Sequence, residues 1–92
     1  MLKRAKSLLN AGVKLSFSSD RPIVAGDPRD GIRTLVHRPE GYDQSENIPA
    51  EAAWAGYTLG AANANGDFGV MGGLECGQLA DFQVLATDPL SI

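Results

Sequence analysis

Apolar positions near the start of the chain recur at helical spacing and then change to an alternating pattern. The spacing predicts a helix that ends near Gly12, and its apolar members are Leu2, Ala5, Leu8 and Leu9. Residues 13–17 alternate between apolar and polar side chains, which predicts a short strand. A helix followed by a strand is the second half of a βαβ unit. We therefore expect that an earlier strand, and with it an amino-terminal portion, is missing from this chain.

The next apolar stripe predicts a helix over residues 28–38. Asp27 can accept a hydrogen bond from the free amides at the helix start, and Pro28 suits the first helical position. Pro39 ends the run because a proline cannot continue a helix. The stripe itself consists of Ile32, Leu35 and Val36.

A further helix is predicted to begin at Pro49, after an exposed polar connection over residues 40–47. Its larger side chains share one face, formed by Trp54, Tyr57 and Ala61, and we interpret them as core residues. A second face carries only small residues, namely Ala53, Gly56 and Gly60. Two glycines cost helix stability, about 1 kcal/mol each against alanine, so another backbone is expected to pack closely there. The helix is expected to end within residues 63–66.

The remainder of the chain is rich in turn-forming residues. Glycines at positions 69, 72, 73 and 77 indicate turns. Residues 82–85 are expected to form a strand, and Asp88 with Pro89 is expected to form the turn that ends it. Helices alternating with strands predict an α/β fold.

Composition narrows the classes of function. Hydrophobic residues make up 43% of the 92 residues, and the formal net charge is −3, which argues against nucleic acid as a partner. Lys3, Arg4 and Lys6 are expected to form a solvated helix face. No apolar run approaches the length of a membrane span, so no membrane partner is expected. A single cysteine, Cys76, cannot form an internal disulfide, which favours a cytoplasmic setting.

Several residues that could carry chemistry have simpler interpretations. His37 falls near the end of a predicted helix, where it complements the helix dipole, and no second histidine supports a metal site. Asp81 is interpreted as a turn residue before the last strand. Cys76 has no basic neighbour that would lower its pKa. The glycine-rich residues 66–77 lack the pattern of a phosphate-binding loop.

Three motifs, in their order and spacing, resemble the carboxyl-terminal part of metal-dependent amidohydrolases, in the branch of exoenzyme-regulator-like and formamide-deformylase-like proteins. Ser-Asp-Arg-Pro at residues 19–22 resembles the family's Ser-Asp-x-Pro. Residues 57–62 resemble its Tyr-Thr-x-x-x-Ala helix. Residues 72–82 resemble its Gly-x-Leu-x-x-Gly-Lys-x-Ala-Asp-Leu, with glutamine at position 78 and cysteine at position 76 as departures.

The resemblance implies a fragment of a (β/α)8 barrel over residues 1–66 and a short β segment of an accessory β-sandwich over residues 67–92. It also implies hydrolysis of C–N bonds in small amide-like substrates with a divalent metal, zinc being our first choice. Asp20 would be the catalytic proton acceptor and a metal ligand. The family's other metal ligands lie upstream of the matched region, so we expect no metal and no activity in this chain alone.

An alternative interpretation is a non-catalytic folded remnant. A single strand would leave its edges unpaired and the surrounding apolar surface uncovered. Self-association into a homo-oligomer, or contact with the missing amino-terminal portion, would cover that surface. Both hypotheses remain open from the sequence.

Overall fold

The computed structural model describes residues 3–92, and the regular elements in this range are helices. Four are α-helices: α1 (Ala5–Asn10), α2 (Pro28–Val36), α3 (Ala50–Tyr57) and α4 (Leu59–Ala64). Two are single-turn 3₁₀ helices, Gln44–Glu46 and Pro89–Ser91. The predicted contribution of Leu2 to the first helix lies outside the described residues. No helix in residues 3–92 is both long and apolar enough to cross a membrane.

The predicted α/β fold is wrong, because residues 3–92 contain no strand, and neither the barrel strand nor the β-sandwich segment forms. A strand needs a neighbouring strand that accepts and donates backbone hydrogen bonds along its length. Residues 13–17 instead lie along the last two α-helices, where the Phe17 amide donates to the Gly56 carbonyl at 3.1 Å. Residues 82–85 form no backbone hydrogen bond within the described chain. Alternation of side chains is a propensity, and it produces a strand only where a partner strand exists.

Helix α1 ends as the sequence predicts. Gly12 adopts a φ of 81°, its amide donates to the Leu9 carbonyl at 3.0 Å, and the Val13 amide donates to the Leu8 carbonyl at 3.1 Å. These two bonds satisfy carbonyls that the last helical turn leaves free, and a residue without a side chain adopts the required conformation most easily.

Helix α2 begins as predicted and ends two residues early. The Asp27 carboxylate accepts a hydrogen bond from the Arg29 amide at 2.9 Å, and Pro28 occupies the first turn. Arg38 precedes Pro39, and a residue before a proline avoids helical angles. The helix therefore ends before Arg38, and its last residue is Val36.

The third predicted helix is divided in two at Thr58, which has φ −114° and ψ −88°. The close approach expected at the small face is confirmed. A side chain at Gly60 would meet the Leu15 carbonyl oxygen, and one at Gly56 would meet the Phe17 ring. The irregular residues 13–17 therefore occupy the groove that these glycines leave open.

The core lies between α1, α2, α3 and the segment that follows α2. Its buried members are Ala5, Ile32, Ile48 and Ala53. Trp54 and Tyr57 pack against this cluster, which confirms their interpretation as core residues. Burial raises the pKa of the Tyr57 hydroxyl, which lies directly over Gly31 of α2.

Candidate functional site

Asp20 lies in an exposed turn between the groove-filling residues 13–17 and helix α2. Its φ is 56°, the left-handed conformation that few residues other than glycine adopt and that aspartate tolerates better than most. The Ile23 amide closes the turn by donating to the Asp20 carbonyl at 2.9 Å, and the Arg21 amide donates to the Ser19 hydroxyl at 3.3 Å. Within residues 3–92 no protein group pairs with the Asp20 carboxylate. It is therefore free to contact a water molecule, a cation or another polypeptide.

The described residues do not assemble a metal centre around Asp20. No group of three or more histidine, cysteine, aspartate or glutamate side chains in this range is close enough to hold a metal ion. Catalytic transition-metal sites generally use about three protein ligands. These residues by themselves do not fit a bound metal, because Asp20 offers one carboxylate alone.

His37 occupies the carboxyl-terminal cap of α2, as its position in the sequence predicts. Its amide donates to the Arg33 carbonyl at 2.7 Å, and its ring Nε2 lies 3.0 Å from the backbone oxygen of Ile92. The histidine thus connects the end of α2 to residues at the far end of the chain, which is a structural role.

Asp81 lines two adjoining cavities that together form a trough along α3 and α4. One cavity has a volume of about 490 Å³ and the other about 420 Å³, and both are lined by Thr58 and Asp81. Apolar side chains form most of the walls: Trp54, Met71, Leu74, Phe82 and Leu85. We call this concave surface the Thr58–Asp81 trough.

The sequence does not predict this trough. The sequence predicts a turn at Asp81 and an ordinary helical position at Thr58. The threonine hydroxyl donates to the Trp54 carbonyl at 3.0 Å, which accompanies the break between the two helices. A threonine followed by Leu and Gly in a helical pattern is a weak sign of such a break. Cys76, which is exposed, does not line either cavity.

Glu46 is a second residue whose role the sequence did not reveal. It falls in the connection expected to be exposed, yet it is buried. The Ser7 amide donates to its Oε2 at 2.9 Å, and the Ser7 hydroxyl donates to its Oε1. These hydrogen bonds stabilise the ionised form, so they lower the pKa of Glu46 below its ordinary value. The contact attaches α1 to the segment that follows α2.

Comparison with known proteins agrees with the resemblance of the motifs. The model of the Amidohydrolase family matches residues 1–92. The N-substituted formamide deformylase of Arthrobacter pascens is 33% identical over 89 residues, which is 92% of this chain and 16% of that protein. Protein LONG AFTER FAR-RED 3 of Arabidopsis thaliana is 38% identical over 88 residues, 90% of this chain and 15% of that protein. YtcJ of Bacillus subtilis (strain 168) is 35% identical over 94 residues, 95% of this chain and 18% of that protein.

The chain spans less than a fifth of the length of each of these curated relatives. No solved structure matches it.

Proposed function

This chain belongs to the amidohydrolase family, and on that basis we propose that it supplies one carboxylate, Asp20, to the hydrolytic centre of an enzyme that cleaves amide-like C–N bonds. The observation that carries the proposal is the match of the family over all 92 residues, which includes the Ser-Asp-Arg-Pro motif at residues 19–22. The remaining groups of the centre would come from polypeptide beyond these residues.

The surroundings of Asp20 suit a group that accepts a proton from water. Its carboxylate is exposed, and no neighbouring cation in residues 3–92 pairs with it. A positioned carboxylate can orient a water molecule, take its proton and later return that proton to a leaving amine. The left-handed backbone at position 20 is rare for a residue with a side chain, and such residues occur preferentially at functional sites.

The proposal keeps Asp20 as one ligand of a divalent metal, with zinc as the first choice. A metal of this kind lowers the pKa of the water that it binds toward ~7. Since residues 3–92 offer no cluster of ligands, the other ligands would have to be contributed from outside them. The proposal also keeps the cytoplasmic setting expected from the single cysteine.

Small amide-like molecules are the substrate class that we propose. The Arthrobacter pascens relative is named for the deformylation of N-substituted formamides. Such substrates are the first to test with this chain, because they contain the C–N bond that the proposed chemistry cleaves.

A hybrid enzyme tests the proposal. Residues 1–92 replace the matching segment of the Arthrobacter pascens deformylase, and release of amine from an N-substituted formamide is measured. We expect the hybrid to be active and Asp20→Asn to lower its kcat/KM by about 10²- to 10⁴-fold. Asparagine is the appropriate replacement because it also tolerates the left-handed backbone.

The matched control is Asp30→Asn, which removes an exposed carboxylate of α2 that pairs only with Arg33. This control should leave kcat/KM within about twofold. A hybrid without activity, or full activity after Asp20→Asn, would contradict the proposal.

A non-catalytic remnant that self-associates is the second candidate. The observation that favours it is the exposure of large apolar side chains, among them Ile23, Phe68 and Val84. It predicts that the purified chain forms oligomers and releases no amine when zinc is added. Light scattering combined with the same amine assay separates the two candidates.

A further inference from the structure

Arg21 directly follows Asp20, and its side chain packs against a glycine. The turn closed by the Ile23 amide includes both residues, and their Cα atoms are about 3.8 Å apart, as in any pair of neighbours in the chain. The Cβ, Cγ and Cδ atoms of Arg21 lie 3.4, 3.3 and 2.6 Å from the position that a side chain at Gly26 would occupy. The aliphatic part of Arg21 therefore fills the space that this glycine leaves open.

The guanidinium group of Arg21 has no partner among residues 3–92, unlike the two arginines of α2. Arg29 pairs with Asp27 at 2.6 Å, and Arg33 pairs with Asp30 at 3.1 Å. A guanidinium carries five N–H donors and stays charged at every pH at which proteins are folded. The donors of Arg21 are thus available to a group from outside the described chain.

The acidic groups closest to Arg21 in the sequence do not take up this charge. Asp27 follows Gly26, but both oxygens of its carboxylate already accept hydrogen bonds from Arg29. Asp20 forms no ion pair with Arg21, although the two residues are adjacent. One turn therefore presents a free carboxylate and a free guanidinium side by side.

The chemistry of the guanidinium favours a carboxylate as the group that it binds. Its planar fork can donate two parallel hydrogen bonds to the two oxygens of a carboxylate, and such charge-assisted bonds are stronger than neutral ones. A neutral amide substituent has no equivalent pair of charged acceptors. Packing of the aliphatic part against Gly26 also limits the freedom that Arg21 would lose on binding, which favours binding.

We propose that Arg21 binds a carboxylate of the substrate, so that the enzyme prefers amides whose nitrogen substituent carries an acidic group. The inference rests on the proposed function, because it takes Asp20 as part of the hydrolytic centre. Arg21 is then a substrate-binding residue, and Gly26 positions it.

Two substrates that differ in charge test this inference in the hybrid enzyme. N-formyl-β-alanine is a formamide whose substituent ends in a carboxylate, and its primary amide has nearly the same shape without the charge. Release of formate is measured for both, because the primary amide contains a second C–N bond. We expect Arg21→Gln to raise KM for N-formyl-β-alanine at least tenfold while kcat stays within threefold. Both constants for the primary amide should stay within twofold.

Arg33→Gln is the matched control, because it removes an exposed arginine that pairs with Asp30 on the same helix. It should leave KM for both substrates within twofold. Equal changes of KM for the two substrates in Arg21→Gln, or no change for either, would overturn the inference.

Gly26→Ala tests how Arg21 is positioned. The new methyl group would lie 2.6 Å from the Arg21 Cδ atom, so this flexible side chain has to move. We expect KM for N-formyl-β-alanine to rise at least threefold. In the double variant with Arg21→Gln, Gly26→Ala should add less than twofold, because the side chain that it displaces is already shortened. Full additivity would overturn the role of Gly26.

Binding measurements distinguish this inference from the proposed function. Calorimetry with N-formyl-β-alanine is carried out on the hybrid that carries Asp20→Asn, where Arg21→Gln should raise Kd at least tenfold. Binding that depends on Arg21 in a hybrid that hydrolyses neither substrate would contradict the proposed function alone. Hydrolysis of both substrates that Arg21→Gln leaves unaltered would contradict the inference alone, and a hybrid that neither binds nor hydrolyses them would contradict both.

Discussion

The helical region (residues 3–66) and the carboxyl-terminal region (residues 67–92) differ in how their apolar side chains are covered. Every buried apolar residue of the described chain lies in the helical region, between Ala5 and Ala62. The carboxyl-terminal region has comparable apolar residues, including Phe82 and Val84, but they remain exposed.

The two regions are connected by a few specific contacts. The Trp54 indole donates to the Pro89 carbonyl at 2.9 Å, and His37 contacts the Ile92 backbone oxygen. Ile92 also packs against the core. The comparison indicates that the helices bury a core by packing against one another, whereas the apolar side chains of the second region stay largely exposed within the described chain.

The largest effect is expected at the centre of the core. Ile32 is 0% exposed, so Ile32→Ala removes buried methyl groups and leaves a cavity. We expect the free energy of unfolding to fall by about 2–5 kcal/mol, measured by urea denaturation. Val84→Ala, at a residue 89% exposed, should change it by less than about 0.5 kcal/mol. Similar losses at both positions would remove the distinction between the two regions.

Gly60→Ala should also destabilise the helical region, although alanine favours helices. The new methyl group would meet the Leu15 carbonyl oxygen, a backbone atom that cannot rotate away. We expect a loss of about 1–3 kcal/mol in thermal or urea unfolding.

Ala64→Gly, at an exposed position in the same helix, is the control for this steric argument. There the glycine variant should be the less stable one, by less than about 1 kcal/mol because Ala64 is the last residue of the helix. If Gly60→Ala increased stability, residues 13–17 would not lie against α4 as described.

Trp54→Phe tests the connection between the regions. The substitution keeps an aromatic ring but removes the donor to the Pro89 carbonyl. We expect the free energy of unfolding to fall by about 0.5–1.5 kcal/mol. We also expect faster amide hydrogen exchange, confined to residues 86–92. Tyr57→Phe is the control, because it also retains the ring and its hydroxyl faces Gly31 instead. Unchanged exchange at residues 86–92 in Trp54→Phe would contradict the proposed link.

A smaller effect is expected from pH within the helical region. Hydrogen bonds from Ser7 lower the pKa of Glu46 in the folded chain below the ordinary 4.5. A depressed pKa means that the stabilisation is present above the pKa of the unfolded chain and is lost as pH falls through the folded value. The free energy of unfolding should therefore fall less between pH 7 and pH 3 in Glu46→Gln than in the unsubstituted chain.

Asp27 provides the comparison for this pH effect. Its hydrogen bonds with Arg29 lower its pKa from 3.8 to about 2. Its ordinary pKa of 3.8 lies below the 4.5 of Glu46, so its contribution to stability begins to be lost at a more acid pH. Asp27→Asn should leave most of the fall in the free energy of unfolding between pH 5 and pH 4 in place. If Glu46→Gln left the acid dependence unaltered, the contact between Ser7 and Glu46 would not stabilise the folded chain.

The helices could be predicted from the sequence because their signals are local. Asp27, Pro28 and Gly12 define helix ends through hydrogen bonds to residues a few positions away. Gly56 and Gly60 likewise indicate a close contact, although the sequence alone does not identify residues 13–17 as the segment that makes it. The break at Thr58 has only a weak local signal, so the sequence predicts one continuous helix where the structure has two.

The candidate site was only partly accessible to sequence reasoning. The motif around Asp20 indicated the family, which the comparison with known proteins confirms. Its role as a ligand and proton acceptor stays a prediction. The sequence does not predict the trough, because its lining residues, among them Trp54, Asp67 and Asp81, come from separate parts of the chain and line adjoining cavities only after folding.

The sequence by itself determined the family, the positions of the main helices and their ends, because each follows from short motifs or from hydrogen bonds within one turn. The tertiary structure decided whether residues 13–17 and 82–85 became strands, because a strand depends on hydrogen bonds to a distant neighbour. It also decided that Glu46 is buried against Ser7 and that Thr58 and Asp81 line one trough, since both follow from packing between separate segments.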